Sequence, residues 1–255
     1  MLYRHPFYFF LRTLVMMRFL AIILATVIGF SCQKKTSAGY SYPSPPMDTT
    51  TPPRNDTAKT YLALGDSYTI GQSVSEAERF PAQTTALLKQ QGVRLADPVY
   101  IATTGWTTED LQAAIANRNP STADVVSLLI GVNDQYRGLD TGGYAIRFSQ
   151  LLDKAVQLAK GKKTNVFVLS IPDYSVTPFV SQDQKARVRM QIDWFNAINK
   201  RITLANGISY TDITTSTREA ATNPSLIAND NLHPSGLEYK KWSDMLAPKM
   251  KAALQ

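Results

Sequence analysis

The sequence predicts an α/β protein, a three-layer α/β/α sandwich around a mostly parallel, doubly wound sheet of five strands. Short apolar segments the length of buried strands alternate with longer stretches in which apolar residues recur at helical spacing. Strands that alternate with helices build parallel β-α-β units. Because the crossovers of such units are right-handed, helices are expected on both faces of one sheet.

The first four predicted strands are mostly apolar runs, as expected for strands covered on both faces, and the fifth, Gly207-Ile-Ser-Tyr210, is a shorter and more polar segment. The five strands lie at 61–64, 99–102, 125–130, 166–169 and 207–210. Glycine, proline or polar residues follow each run and predict a turn there. The expected sheet is flavodoxin-like.

The predicted helices combine an apolar face with a capping residue at the start. Their starts are placed at Phe80, at Thr107 capped with Asp110, near Tyr144, at Ser181 with Gln184 in a capping box, and at Ser235 with Glu238 in another. Ile146 is counted with the apolar face of the third helix, and Leu237 with that of the last.

Residues 1–31 have the anatomy of a signal peptide: a basic start, an apolar core and a small residue just before Cys32. The true start is placed at Met16 or Met17. The segment resembles a bacterial lipoprotein signal, which implies an exported protein lipid-anchored through Cys32 at the periplasm or cell surface. An uncleaved signal anchor is the alternative.

Residues 32–58 are rich in Ser, Thr and Pro and predict a disordered, extended tether. The segment 59–255 contains all the predicted strands and helices and no internal repeat. We therefore expect a single domain, and a monomer.

Charge and composition argue against several classes of function. The net charge is +7, but the first 31 residues hold three of the arginines and no acid, which leaves 24 basic against 20 acidic side chains in the rest. An excess so small, without a Lys/Arg-rich run, argues against nucleic acid. One cysteine and two histidines are too few for a thiolate or histidine metal site, so neither a metal nor another cofactor is expected.

Polar motifs with catalytic potential stand at the ends of predicted strands. Gly65-Asp66-Ser67 follows the first strand and Gly131-Val132-Asn133 the third, so both are expected at the carboxyl edge of the sheet, where ligands bind. Asp230-Asn231-Leu232-His233 precedes the last helix. A serine needs a base to attack at neutral pH, and an aspartate three residues before a histidine can orient the imidazole.

The motifs resemble those of the GDSL esterase/lipase family, also called SGNH hydrolases. Its four blocks match Gly65-Asp-Ser67 with Gly71, then Gly105, Gly131-x-Asn133-Asp134, and Asp230-x-x-His233. The resemblance implies a nucleophile at Ser67, a base at His233 oriented by Asp230, and an oxyanion hole built from the Ser67 N–H, the Gly105 N–H and the Asn133 side chain. Ala102-Thr103-Thr104 stands where the family often has an asparagine.

Neighbouring residues have structural interpretations. Asp66 is expected to brace its own loop, and Asp134 to hold the turn that presents Asn133. The aromatic residues of the loops at this edge either line the pocket or are ordinary half-buried surface: Tyr68, Trp106, Tyr136 and Tyr174.

The leading interpretation is a serine esterase that works through an acyl-enzyme, without a cofactor. The expected substrate is a small-molecule or glycan ester carrying a short acyl group on a carbohydrate, or a lysophospholipid-type ester. The alternative is a non-catalytic surface lipoprotein that binds glycans on the same fold.

Overall fold

The computed structural model describes residues 57–255, so the predicted signal peptide, Cys32 and nearly all of the tether lie outside the described residues. The described chain forms one five-stranded sheet in the order β2-β1-β3-β4-β5, with every neighbouring pair parallel. The strands are β1 (Tyr61–Gly65), β2 (Val99–Ala102), β3 (Val125–Leu129), β4 (Val166–Leu169) and β5 (Ser209–Thr211). The predicted α/β/α sandwich with a doubly wound sheet is confirmed.

In the described part of the chain, eight α-helices connect and cover the strands. They are α1 (Ser67–Ile70), α2 (Phe80–Gln90), α3 (Thr108–Arg118), α4 (Val132–Tyr136), α5 (Thr141–Leu158), α6 (Lys185–Ala205), α7 (Thr214–Thr217) and α8 (Gly236–Leu254). Short 3₁₀ turns occupy Glu76–Glu78, Lys163–Asn165, Tyr174–Val176, Arg218–Ala221 and Pro224–Leu226. Within residues 57–255, no helix is both long and apolar enough to cross a membrane.

Aromatic clusters help to hold helices in both outer layers. In one layer α2 packs against α8, where the Phe80 ring lies 5.9 Å from the ring of Trp242. In the other layer α5 packs against α6, with ring centroids of Tyr144 and Phe195 4.6 Å apart. All four side chains are buried. Burying large rings against both faces supplies much of the apolar contact that fixes the sheet between the helices.

The capping predictions have mixed outcomes. Thr107 and Asp110 do form a capping box at the start of α3. The box predicted at Ser181 is wrong, because α6 begins only at Lys185 and Gln184 occupies its N-cap without a side-chain cap.

The capping box predicted at the start of α8 is also wrong. The Ser235 hydroxyl donates to the carbonyl of Ser225, and Glu238 accepts a hydrogen bond from the indole of Trp242. At the start of α8, the hydrogen bonds of Ser235 with Ser225 and of Glu238 with Trp242 therefore replace the predicted capping hydrogen bonds.

Two of the residues predicted to lie on apolar helix faces do not face the core. Ile146 and Leu237 are 62% and 59% exposed, although their spacing placed them on buried faces. The buried stripe of α5 instead runs through Tyr144, Phe148 and Leu151. Helical spacing alone does not show whether a residue at the boundary of an apolar face is buried, because that depends on how the helix packs in the folded chain.

Gly131 makes the sharp turn from β3 into α4 and thereby places Asn133 at the end of the sheet. Its φ is +126°, a conformation that L-residues rarely adopt. A Cβ at this position would lie 2.6 Å from Tyr144 Cε2 and 2.9 Å from Ile171 Cδ1. Both the backbone and the packing around it therefore require glycine.

We predict that Gly131→Ala lowers the free energy of unfolding by about 2–5 kcal/mol, the sum of a left-handed backbone and an overpacked core. Gly161→Ala is the matched control, because Gly161 also has a positive φ, +76°, but has no atom within 4 Å of its would-be Cβ. Urea unfolding of both variants measures the difference. Equal losses would show that the contact with Tyr144 does not constrain residue 131.

Candidate active site

Loops from three neighbouring strands meet at one pocket. Ser67 follows β1 at the first position of α1, Gly105 follows β2, and Asn133 lies in α4 after β3. His233, from the loop before α8, completes the lining. The structure therefore brings together Ser67, Gly105, Asn133 and His233, as expected for residues at the carboxyl edge of a parallel sheet.

A hydrogen-bonded chain runs from Asp230 through His233 to Ser67. Asp230 Oδ2 lies 2.6 Å from His233 Nδ1, and His233 Nε2 lies 3.0 Å from Ser67 Oγ. Both His233 and Ser67 are buried. This is the geometry in which an imidazole can accept the serine proton while a carboxylate fixes its orientation.

The Asp230 carboxylate is held ionised by several donors. Partial burial raises its pKa, but hydrogen bonds from the Ser73 hydroxyl and from the His233 backbone and ring outweigh that effect and lower the pKa to about 2. The Ser73 hydroxyl lies 2.6 Å from Asp230 Oδ2. Sequence analysis missed Ser73, because a serine in the loop after α1 carries no local signal of contact with a residue 157 positions later.

Asn133 and Gly105, which line the pocket beside Ser67, are each held by a hydrogen bond. The Asn133 amide nitrogen donates to the Trp106 carbonyl at 3.0 Å, and its second hydrogen stays available to a ligand. Gly105 adopts φ +81° and its carbonyl accepts a hydrogen bond of 2.6 Å from Arg137. Arg137, which sequence analysis did not single out, thus holds the Gly105 loop beside the pocket.

Asp66 braces the serine loop, as predicted. Its Oδ1 accepts a hydrogen bond from the Tyr68 N–H, while its Oδ2 is buried and has no hydrogen-bond partner among the described residues. Burial, together with repulsion from Asp134, raises the pKa of Asp66 to about 8, although the hydrogen bond from the Tyr68 N–H acts in the opposite direction. Burial therefore favours the protonated form of Asp66 near neutral pH.

Asp134 has a wider role than the local turn expected from the sequence. It accepts hydrogen bonds from the Thr108 N–H at the start of α3 and from Arg147 in α5, at 2.8 and 3.2 Å. Its side chain is fully buried. Asp134 therefore fastens α4, which carries Asn133, to two other helices.

Aromatic side chains line much of the pocket, which has a volume of about 160 Å³. Tyr68, Tyr136 and Tyr174 are among the lining residues, as is Phe179, which sequence analysis missed. Trp106 does not line it; its ring lies under the guanidinium of Arg118, 5.8 Å away.

The buried carboxyl of Asp66 predicts a pH-dependent difference in stability between the wild type and Asp66→Asn. Between about pH 4 and pH 8 the native Asp66 keeps a proton that the unfolded chain has lost, so wild-type stability falls relative to the variant as pH rises. Above about pH 8 both states are ionised and the difference levels off. Thermal unfolding from about pH 5 to about pH 9 measures it.

Asp153→Asn is the control, because Asp153 is exposed on α5. The prediction concerns how the stability difference between the wild type and Asp66→Asn changes with pH. A difference that is the same at every pH is not part of it, because a buried amide can change the stability by itself. A difference between the wild type and Asp66→Asn that stays constant over this pH range would show that Asp66 is ionised in the native state.

Comparisons with solved structures show the same fold. A lipase from a goat rumen metagenome has 20% identity and a TM-score of 0.63, covering 78% of this chain and 100% of that one. The esterase EstA from Pseudoalteromonas sp. has 16% identity and a TM-score of 0.56, covering 76% and 97%. An acetyl xylan esterase from Geobacillus stearothermophilus has 19% identity and a TM-score of 0.54, covering 75% and 94%.

No curated protein matches the sequence. The model of the GDSL-like lipase/acylhydrolase family, however, matches residues 63–241, well over half of the chain, and includes Ser67 and His233. The chain therefore belongs to the GDSL-like lipase/acylhydrolase family and is a carboxylic ester hydrolase.

Proposed function

We propose that the protein hydrolyses esters of short acyl groups through an acyl-enzyme on Ser67. The observation that carries this proposal is the chain of short contacts from Asp230 through His233 to Ser67. Ser67 Oγ attacks the ester carbonyl carbon as His233 Nε2 takes the hydroxyl proton. The bond to the alcohol breaks, and the alcohol leaves with that proton. Water then attacks the acyl-enzyme by the same steps, which releases the acid and restores Ser67.

The negative charge that develops on the carbonyl oxygen needs donors already in place. The backbone N–H groups of Ser67 and Gly105 and the free hydrogen of Asn133 Nδ2 are assigned this role. Donors fixed before the reaction stabilise the transition state without the cost of reorientation. The hydrogen bond from Asn133 to Trp106 supports the assignment, because it limits rotation of the amide.

The size and the lining of the pocket favour a substrate with a short acyl group. Its volume of about 160 Å³ lies below the range of roughly 300–1,000 Å³ that encloses a drug-sized ligand. Val132, Leu232 and the aromatic rings give it a mainly apolar lining. An acyl chain of a few carbons fills such a space, whereas a long chain would have to leave it for solvent. The alternative of a non-catalytic glycan-binding protein leaves the serine–histidine contact unexplained.

The proposal includes export and lipid anchoring through Cys32, which rest on the sequence alone. The apolar segment before Cys32 ends where a lipoprotein signal would be cut. More than one acyl chain on the new N-terminus gives stable anchoring, since each buried methylene contributes about 0.8 kcal/mol. The Ser/Thr/Pro-rich tether would then separate the catalytic domain from the membrane surface.

A series of p-nitrophenyl esters from acetate to decanoate tests the proposed reaction. We expect kcat/KM to be highest for the acetate to butyrate esters and to fall for the decanoate ester, because the pocket cannot enclose the longer chain. Ser67→Ala should abolish turnover of all of them while the fold, measured by circular dichroism, is kept. Residual turnover at the wild-type rate in Ser67→Ala would contradict the acyl-enzyme.

Asn133→Ala should lower kcat by about 100- to 1,000-fold, the usual loss for one oxyanion-hole donor, with little change in KM. The reason is that the donor acts on charge present only in the transition state. Steady-state kinetics with p-nitrophenyl acetate measures both constants. An effect confined to KM would assign Asn133 to ground-state binding.

Cys32→Ala should leave the protein without lipid and release it from the membrane fraction after cell lysis. Metabolic labelling with a fatty acid and fractionation measure the two effects. A Cys32→Ala protein that stays membrane-bound would instead support the uncleaved anchor.

A further inference from the structure

A second groove opens beside the catalytic pocket. It has a volume of about 390 Å³ and lies between the end of α4, the loop from Tyr174 to Ser181 and the first turns of α6. Tyr136, Tyr174 and Phe179 line both the groove and the catalytic pocket. Part of a substrate that extends past these rings would therefore lie in the groove while its ester lies near Ser67.

The three shared rings form a continuous wall. Their centroids lie 6.2–6.4 Å apart, so each ring packs against the other two. Tyr136 and Phe179 are nevertheless 61% and 48% exposed, which is unusual for large rings that lie together. Exposed rings of this kind offer a flat apolar face to a ligand.

A chain of side-chain hydrogen bonds fixes Tyr174, one of the three rings of the wall. The Tyr174 hydroxyl donates to Gln135 Oε1 at 2.8 Å, and Gln135 Nε2 donates to Gln191 Oε1 at 2.8 Å. The two hydrogens of Gln191 Nε2 remain available in the groove. The ring of Tyr174 and the donor of Gln191 are thus held in fixed positions before any ligand binds.

Two further polar side chains of the groove lining, Gln184 and Arg187, come from the start of α6 and its N-cap. Gln184 Oε1 is buried and has no hydrogen-bond partner in the described chain. Arg187 makes no hydrogen bond or ion pair within residues 57–255, and it is the only charged residue in the lining. Gln184 donates through its nitrogen to Asp183, whose charge lies near Arg187 and partly offsets it.

These groups match a polyhydroxylated ring better than an acyl chain or an anion. Sugar hydroxyls are both donors and acceptors, so they can use Gln184 Oε1 as well as the N–H groups of Gln191 and Arg187. The C–H face of the same ring can lie on the aromatic wall. An acyl chain would leave these polar groups unpaired, and an anion would meet an acceptor and the nearby Asp183.

We propose that this groove binds the saccharide portion of an acylated carbohydrate while its ester group occupies the catalytic pocket. The inference rests on the proposed esterase function and selects the carbohydrate ester over the lysophospholipid-type ester. The groups in the groove contact the alcohol part and not the reacting carbonyl. They therefore contribute to KM more than to kcat.

A matched pair of substrates tests the inference with the wild-type enzyme. 6-O-acetylglucose and cyclohexylmethyl acetate are both acetates of a primary alcohol on a six-membered ring, but only the first carries hydroxyls. We expect kcat/KM to favour the sugar ester by about tenfold or more, as for a site built to pair substrate hydroxyls. Equal rates, or a higher kcat/KM for a short-chain lysophosphatidylcholine, would overturn the inference.

Variants of groove residues test whether the groove causes the preference for the sugar ester. Arg187→Ala and the near-isosteric Gln184→Leu should each reduce the ratio of the two kcat/KM values by about threefold to tenfold, through a higher KM for the sugar ester. Arg189→Ala is the control, because Arg189 is exposed on the same helix but does not line the groove. A ratio unchanged in both groove variants would overturn the assignment.

Binding without turnover separates this inference from the proposed reaction. Calorimetric titration of Ser67→Ala with 6-O-acetylglucose should show binding that weakens in the double variant with Arg187→Ala. If the wild type hydrolyses p-nitrophenyl acetate but Ser67→Ala binds no sugar ester, the saccharide inference fails and the esterase stands. If Ser67→Ala binds the sugar ester but the wild type hydrolyses no ester, the proposed reaction fails and the groove assignment stands.

Discussion

The parallel direction of all five strands is the constraint on which the site depends. Each strand leaves the sheet at the same edge, so the loops after β1, β2 and β3 are forced into contact although they are far apart in sequence. Ser67, Gly105 and Asn133 come from these three loops. The chain reverses its direction of winding between β1 and β3, which opens the crevice where such sheets bind ligands.

Two buried carboxyl groups, those of Asp134 and Asp66, stabilise the loops at the carboxyl edge of the sheet in different ways. Asp134 is fully buried and pairs with Arg147 and Thr108, so it fastens α4 to helices α3 and α5. Asp66 is equally buried but forms no ion pair within residues 57–255, and burial raises its pKa to about 8. Asp134 is therefore held by an ion pair, whereas burial favours the protonated form of Asp66, because an unpaired charge at this depth would cost too much free energy.

The aromatic wall divides the surface around Ser67 into two chemically different spaces. The small pocket is mainly apolar, as the proposed short acyl group requires. The larger groove carries amides and the guanidinium of Arg187, as the proposed saccharide part requires. An ester joins two such parts, so the proposed function needs two different spaces beside Ser67.

The sequence by itself determined the α/β class, the strands and the residues of the Ser67, Asn133 and His233 motifs. Strand runs and strand-end turns are local properties, and the Asp230–His233 pair spans a single turn. The contacts of Ser73 and Arg137, and the places of Phe179 and Arg187 in the groove lining, were decided by the tertiary structure, because each depends on a contact or cavity formed by distant segments. The false cap at Ser235 has the same cause: its hydroxyl bonds to Ser225, a partner that only the folded chain brings near.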